Sequence, residues 1–222
     1  VAISRFFVII AAAGIGSRMQ ADRPKQYLML DDKTVIEHAI APFLDHAFIE
    51  KIVVVLSKDD HYFQALSIAK HEKIFPTLGG DLRAQSVLNG LNALIAEEND
   101  WVLVHDAARP LISREEVDYL IETLSEHPVG GLLGTSINAT IKYVERGEVK
   151  KTVSRDGLWQ ALTPQMFRYG LLKQALAKYP SATDCSSAIE QLGKMPHMVE
   201  GNPNNIKITR PEDLRLAERI LS

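Results

Sequence analysis

Cysteine is almost absent. Cys185 is the single one in 222 residues, so no disulfide can close within the chain and a reducing compartment, the cytoplasm, is expected. Long apolar runs are missing as well. The longest, Phe6 to Ala13, falls far short of the ~20 residues that span a bilayer, so no membrane partner is expected. The run follows Arg5 and ends in three alanines, which superficially resembles a leader peptide; a glycine-bearing loop follows at once, and a buried first strand is the better reading. There is no basic excess. Lys and Arg number 25 against 28 Asp and Glu, a formal charge of -3, whereas nucleic-acid binders usually carry the opposite sign. Gly and Pro, at 13 and 10 residues, are too few for a disordered or collagen-like chain. The seven histidines show no His-Glu-x-x-His spacing and Cys185 has no partner, so no metal site built from protein ligands is expected. Gly-x-Ser-x-Gly is absent, which leaves a hydrolase nucleophile elbow unsupported.

What is present reads as one α/β domain over residues 1–222. Phe6–Ala11, Ile52–Leu56, Ile74–Leu78 and Trp101–His105 are short apolar runs of strand length. Helical stripes lie between them: Val35, Ile36, Ala39, Ile40, Phe43 and Leu44; then Val87, Leu88, Leu91, Leu94 and Ile95; then Val117, Leu120, Ile121 and Leu124. Strands with no polar alternation are buried on both faces, which implies a mostly parallel, Rossmann-like sheet with helices on either side. Residues 136–154 break the pattern. They alternate roughly by two around Glu145-Arg146-Gly147-Glu148 and read as a β-hairpin with little apolar surface of its own. Such a hairpin is marginal in water and needs the body or another subunit to lie on. Helical signals return at Tyr169–Lys178 and Thr183–Gly193. The last helix is marked by Thr209 as N-cap, Pro211, and a Thr-x-x-Glu capping box ending at Glu212, with Leu214, Ala217, Ile220 and Leu221 as its apolar face.

The loop Ala12-Ala13-Gly14-Ile15-Gly16-Ser17-Arg18 follows the first strand. Gly-x-Gly at a strand end lets backbone N–H groups approach a phosphate. A dinucleotide fingerprint needs glycine where Met19 stands, and a Walker loop needs a Gly-Lys-Ser/Thr that is absent. The cation spacing strengthens the signal: Arg18, Arg23 and Lys25 fall within eight residues, with Pro24 fixing the chain before Lys25. The bland alternative is a set of solvated loop charges. Gly79-Gly80-Asp81-Leu82-Arg83-Ala84-Gln85-Ser86 opens a helix after the third strand, and either admits a flat base beside Asp81 and Ser86 or is a plain turn with Asp81 as N-cap. Asp106, at the end of the fourth strand in Val104-His105-Asp106-Ala107-Ala108-Arg109-Pro110, sits where open α/β sheets bind ligands. It either binds a ribose hydroxyl or Mg²⁺, or simply pairs with Arg109. Asn205–Thr209 reads as a strand in which Lys207, between two isoleucines, is exposed or aimed into a site.

These blocks, with Pro24-Lys25-Gln26-Tyr27-Leu28, Ala161-Leu162-Thr163-Pro164-Gln165 and Thr183-Asp184 in the same order, together resemble the 2-C-methyl-D-erythritol 4-phosphate cytidylyltransferases of the non-mevalonate isoprenoid pathway. The resemblance spans nearly the whole chain. It implies transfer of CMP from CTP to a polyol phosphate with release of pyrophosphate. It implies Arg18, Lys25 and Lys207 as the catalytic cations on the phosphates, and Ala12, Ala13, Gly14, Gly16, Gly80, Asp81, Ser86, Asp106 and Ala107 around CTP. Asp106, Arg109, Thr140, Arg155, Thr163 and Thr183 are implied at the acceptor, with Thr140 and Arg155 reaching a neighbouring subunit's site from the hairpin. The hairpin thereby resembles a dimerisation arm, and the partners implied are CTP, a polyol phosphate and a second copy of the chain. Mg²⁺ is implied mainly on the CTP phosphates. Three places depart from the family pattern: Ala11 where proline is usual, Ala139 where aspartate usually precedes Thr140, and Cys185-Ser186 for an acidic residue and alanine. Two rival readings share the fold: a cytidylyltransferase for another polyol phosphate such as ribitol 5-phosphate, and a non-catalytic nucleotide-binding module.

Overall fold

The structure, a computed structural model, describes residues 5–14, 19 and 23–221. Its centre is a seven-stranded sheet. The strands are β1 (Phe6–Ala12), β4 (Ile49–Leu56), β5 (Ile74–Leu78), β6 (Trp101–Asp106), β7 (Gly130–Ser136), β10 (Trp159–Arg168) and β11 (His197–Glu200), in the order β11-β7-β10-β6-β1-β4-β5. Pairing is parallel except at β10, which runs antiparallel to both β6 and β7. Two small ribbons complete the β structure: β2 (Met29–Leu30) with β3 (Lys33–Thr34), and β8 (Ile141–Glu145) with β9 (Glu148–Val153).

The central strands β1, β4 and β6 are buried on both faces, and a period of two sorts their side chains between the faces. From β1, Val8, Ile10 and Ala12 point to one face and Phe7 and Ile9 to the other. Ile52, Val54 and Leu56 oppose Val53 and Val55 on β4, and Trp101 and Leu103 oppose Val102 and Val104 on β6. The first face is covered by α1 (Val35–Leu44) through Ile36, Ile40 and Phe43, and by α3 (Arg114–Leu124) through Val117, Leu120, Ile121 and Leu124. The second is covered by α2 (Arg83–Asn92), α4 (Tyr169–Lys178) and α5 (Cys185–Gln191). Each fully buried Leu, Ile or Val is worth about 1.5–3 kcal/mol, so this sandwich is the main source of stability. Thr34 and Glu37 close a capping box on α1, and Ser113 and Glu116 one on α3.

Several local expectations are corrected. Asn205–Thr209 forms no strand; its carbonyls and side chains bond to other elements instead. The last helix, α6 (Pro211–Leu221), does not use a Thr209–Glu212 box. The Asp213 carboxylate accepts from Thr209 N–H, the Thr209 hydroxyl and Arg210 N–H, at 2.8, 2.8 and 2.9 Å. Leu221 and Ile95 lie exposed, off the buried stripes assigned to them. Leu82, not Asp81, precedes the first turn of α2, and no side chain caps it. Ser136 belongs to the central sheet, so the projecting ribbon is shorter than 136–154. At its tip Arg146 and Gly147 have φ of 51° and 83°, the left-handed pair that a two-residue hairpin turn requires.

Candidate active site

The chain leaves β1 through α1 for β4 on one side, then returns from β5 through α2 to β6 on the other. The crevice at the C-terminal ends of β1 and β6 is therefore a topological switch point, where open α/β sheets bind ligands. A cavity of about 220 Å³ lies there. It brings together most of the residues expected at the nucleotide: Ala12, Ala13 and Gly14 from the end of β1, Gly80, Asp81 and Ser86 from the turn into α2, Asp106 and Ala107 from the end of β6, and Lys25 and Lys207. Arg18 and Gly16 lie outside the described residues. Gln26, Leu82 and Arg83 also line the cavity and were not singled out as site residues from sequence.

Asp106 is the electrostatic hub. One carboxylate oxygen accepts from Arg83 at 2.9 Å and the other from Lys207 at 2.6 Å. Burial would raise its pKa, but Arg83 and Lys207 outweigh that and hold the carboxyl well below the usual carboxylate range. The expected alternative of an Asp106–Arg109 side-chain pair is not what forms. Arg109 is buried and donates to the carbonyls of Asn205 at 2.7 Å and Ala161 at 3.4 Å. Lys25 Nζ donates to the Ile208 carbonyl at 2.8 Å, so the segment carrying Lys207 also ties down Lys25. The two loops are stiffened from within. Gln26 donates to the Ala12 and Gly14 carbonyls at 2.8 and 3.3 Å, and Ser86 Oγ accepts from Gly80 N–H at 3.0 Å and donates to its carbonyl at 3.1 Å.

Behind Asp106, His105 and Thr163 form a buried hydrogen-bonded relay, while Arg109 Nε and Asn205 Oδ1 nearby are buried without a partner among the described residues. His105 Nε2 lies 3.0 Å from the Arg109 carbonyl, which can only accept, so that nitrogen carries the proton. Nδ1 then accepts from the Thr163 hydroxyl at 3.0 Å, leaving the Thr163 oxygen to accept from Asp106 N–H at 3.2 Å. Thr163 therefore holds the end of β6 and does not line the cavity. Thr183 is exposed at the start of α5 with its hydroxyl beside Ser187, and Thr140 and Arg155 are exposed near the base of the ribbon. None of these, nor Arg109, lines the cavity within one chain.

The His105 wiring yields a pH prediction. Burial pushes its pKa down to about 4, below the unfolded value of about 6.5, so the unfolded chain takes up this proton first. Stability from this group is full above about pH 6.5 and declines as pH falls toward 4, by about 3 kcal/mol in all. His46 and His127 are shifted in the same direction. The His105→Gln variant isolates the contribution: its melting temperature should fall less than that of the parent between pH 6.5 and 4, and an unchanged fall would contradict the buried neutral state.

Comparison with known proteins reaches the same family as the sequence blocks. A family model described as IspD, 2-C-methyl-D-erythritol 4-phosphate cytidylyltransferase, matches residues 6–222. The protein of that name from Vibrio parahaemolyticus is 48% identical over 226 aligned residues, covering 99% of this chain and 97% of the relative. That from Pseudomonas fluorescens strain SBW25 is 50% identical over 217, covering 94% and 92%. A crystal structure described as 4-diphosphocytidyl-2C-methyl-D-erythritol synthase superposes with a TM-score of 0.88 at 36% identity over 100% of both chains. The Francisella tularensis cytidylyltransferase does so with 0.84 at 38% identity, covering 97% of this chain and 99% of that one.

Proposed function

The chain belongs to the 2-C-methyl-D-erythritol 4-phosphate cytidylyltransferase family and transfers CMP from CTP to 2-C-methyl-D-erythritol 4-phosphate in isoprenoid precursor synthesis, and from that premise we propose how its residues divide the work. The observation that carries the division is the convergence of Lys25, Lys207 and Arg83 on one crevice, the last two paired to the buried carboxylate of Asp106. Lys25 and Lys207, together with Arg18, take the triphosphate. Gly80, Asp81 and Ser86 with the backbone of Ala12 and Ala13 take the base, and Asp106 and Ala107 the ribose.

The attacking phosphomonoester has a second pKa near 6 and is already ionised at neutral pH, so no general base is required. The obstacle is repulsion between two polyanions. The site answers it by holding both in line and neutralising charge as the bond to pyrophosphate breaks. Arg18 supplies a planar fork of donors, Lys25 and Lys207 compact charges. Mg²⁺ fits this division as an ion carried on the triphosphate, where it would neutralise phosphate charge and assist the leaving group. Among the described residues no group of three or more His, Cys, Asp or Glu side chains is placed to hold a metal.

The acceptor needs more of the protein than one chain brings to the crevice. Asp106 faces it, Arg109 and Thr163 brace it from behind, and Thr183 stands at the start of α5. Thr140 and Arg155 do not line the cavity of their own chain. We assign them to the site of a partner subunit, with the exposed ribbon as the dimer contact. No helix among the described residues is long and apolar enough to cross a membrane, and the lone buried Cys185 suits a reducing cytoplasmic setting. Pyrophosphate release from CTP and Mg²⁺ with a panel of polyol phosphates tests the acceptor. The expected outcome is fast release with 2-C-methyl-D-erythritol 4-phosphate and at most slow release with ribitol 5-phosphate. Equal rates would contradict the acceptor assignment, and no release with any acceptor would favour a binding module.

A further inference from the structure

Arg83 breaks a local rule. It is the first residue of α2, whose opening turn contains no acidic side chain and whose N-terminus has no side-chain cap. A cation there faces the positive end of the helix dipole, which is unfavourable. Its side chain is 28% exposed and lines the crevice, while the carboxylate it bonds is 10% exposed. Its other polar neighbour is the Cys185 thiol, which burial pushes up to about 11 and so keeps neutral. The charge of Arg83 is thus directed at Asp106. Sequence positions that contradict local preference while remaining well paired are the ones expected at functional sites.

The geometry assigns to Arg83 the role of a positioning residue for Lys207, acting through Asp106. Asp106 carries two cations on two different oxygens. Lys207 is the more exposed of them, at 39%, and belongs to the segment that we place on the triphosphate. If Lys207 turns toward an arriving phosphate, Asp106 loses part of its compensation while still nearly buried. Arg83, anchored on a helix, remains. It keeps the carboxylate paired in both situations, so Lys207 can be offered to the phosphate and recovered by Asp106 without leaving a buried charge alone. The chain Arg83–Asp106–Lys207 also joins the turn that takes the base, two residues before Arg83, to the cation that takes the phosphates.

This rests on the assignment of Lys207 to the phosphates, and the experiment separates the two. Arg83→Gln, Arg83→Lys, Asp106→Asn, Lys207→Met and Arg83→Gln/Asp106→Asn are made in the full chain and compared by steady-state pyrophosphate release, with melting curves for each. Arg83→Gln is expected to lower kcat on the order of 30-fold, within the coupling seen for residues of one ion-pair network, with KM for CTP changed less than about threefold. Arg83→Lys should recover most of the loss. In the Asp106→Asn background, where no carboxylate needs holding, adding Arg83→Gln should cost less than about threefold more. Full, additive loss in that background would mean that Arg83 acts on the nucleotide by itself and would overturn the proposal, as would a wild-type kcat in Arg83→Gln. If Arg83→Gln does not fold, the double variant decides: recovery of folding supports a carboxylate left unpaired by the single change, and continued unfolding contradicts it. Wild-type turnover in Lys207→Met would instead remove the phosphate assignment itself, whatever Arg83 does.

Discussion

Lys25→Ala should keep the fold and lose turnover about a hundredfold. The side chain lies at the mouth of the crevice on a single turn of 3-10 helix, Lys25–Tyr27, and not in the sandwich. Its bond to the Ile208 carbonyl is one charge-assisted hydrogen bond, worth roughly 1.5–3 kcal/mol at most in a domain whose core is elsewhere. The chemical loss is of another order in consequence. A fixed cation aimed at charge that develops in the transition state contributes about 3 kcal/mol, or about a hundredfold in rate. Steady-state pyrophosphate release and a melting curve on the same sample check both halves. Turnover at the wild-type rate would remove Lys25 from the catalytic set.

Replacing the ribbon, residues 141–153, with a short Gly-Ser link should convert a dimer of twice 24.7 kDa to a monomer and abolish most activity. Tyr143, Val144 and Val149 are 47%, 49% and 61% exposed on a two-stranded sheet that pairs with no other strand among the described residues. A lone ribbon of this kind is marginally stable in water, and a partner surface would give it something to pack on. The central sheet, whose strands it does not enter, should melt nearly as before. Light scattering at micromolar protein reads the mass. A fully active monomer would refute the cross-subunit role.

The sequence disclosed the parts of the fold whose physics is local. β1, β4, β5 and β6 each carry a short apolar run, and the helices between them repeat at 3.6 residues. β7 stayed hidden because Gly130, Gly131 and Gly134 lower its strand preference. The structure shows why glycine stands at position 131: a Cβ there would meet the His197 carbonyl oxygen of β11 at 2.0 Å. β10 was concealed by Pro164, which falls where its pairing with β7 shifts between Ala161 and Gln165. The loops that line the crevice were marked in the sequence by glycines and cations, but spacing left a plain turn and solvated charges open, and their nucleotide role is what the family resemblance implies. Arg83 was visible only as part of a block, since its partner lies 23 residues away in sequence, and the bonds of the Thr163 hydroxyl to His105 and the Asp106 amide join segments too distant in sequence to be read from it.

The central claim is that a working site combines the crevice of one chain with the arm of another. Co-expressing Lys25→Ala with Arg155→Ala tests it most directly. Each variant alone should be nearly inactive. A mixed dimer would unite an intact crevice with an intact arm at one of its two sites. With random pairing the mixture should then regain about a quarter of wild-type activity, since half the symmetric dimers are mixed and each holds one good site. A mixture no more active than the two variants measured separately would contradict the account.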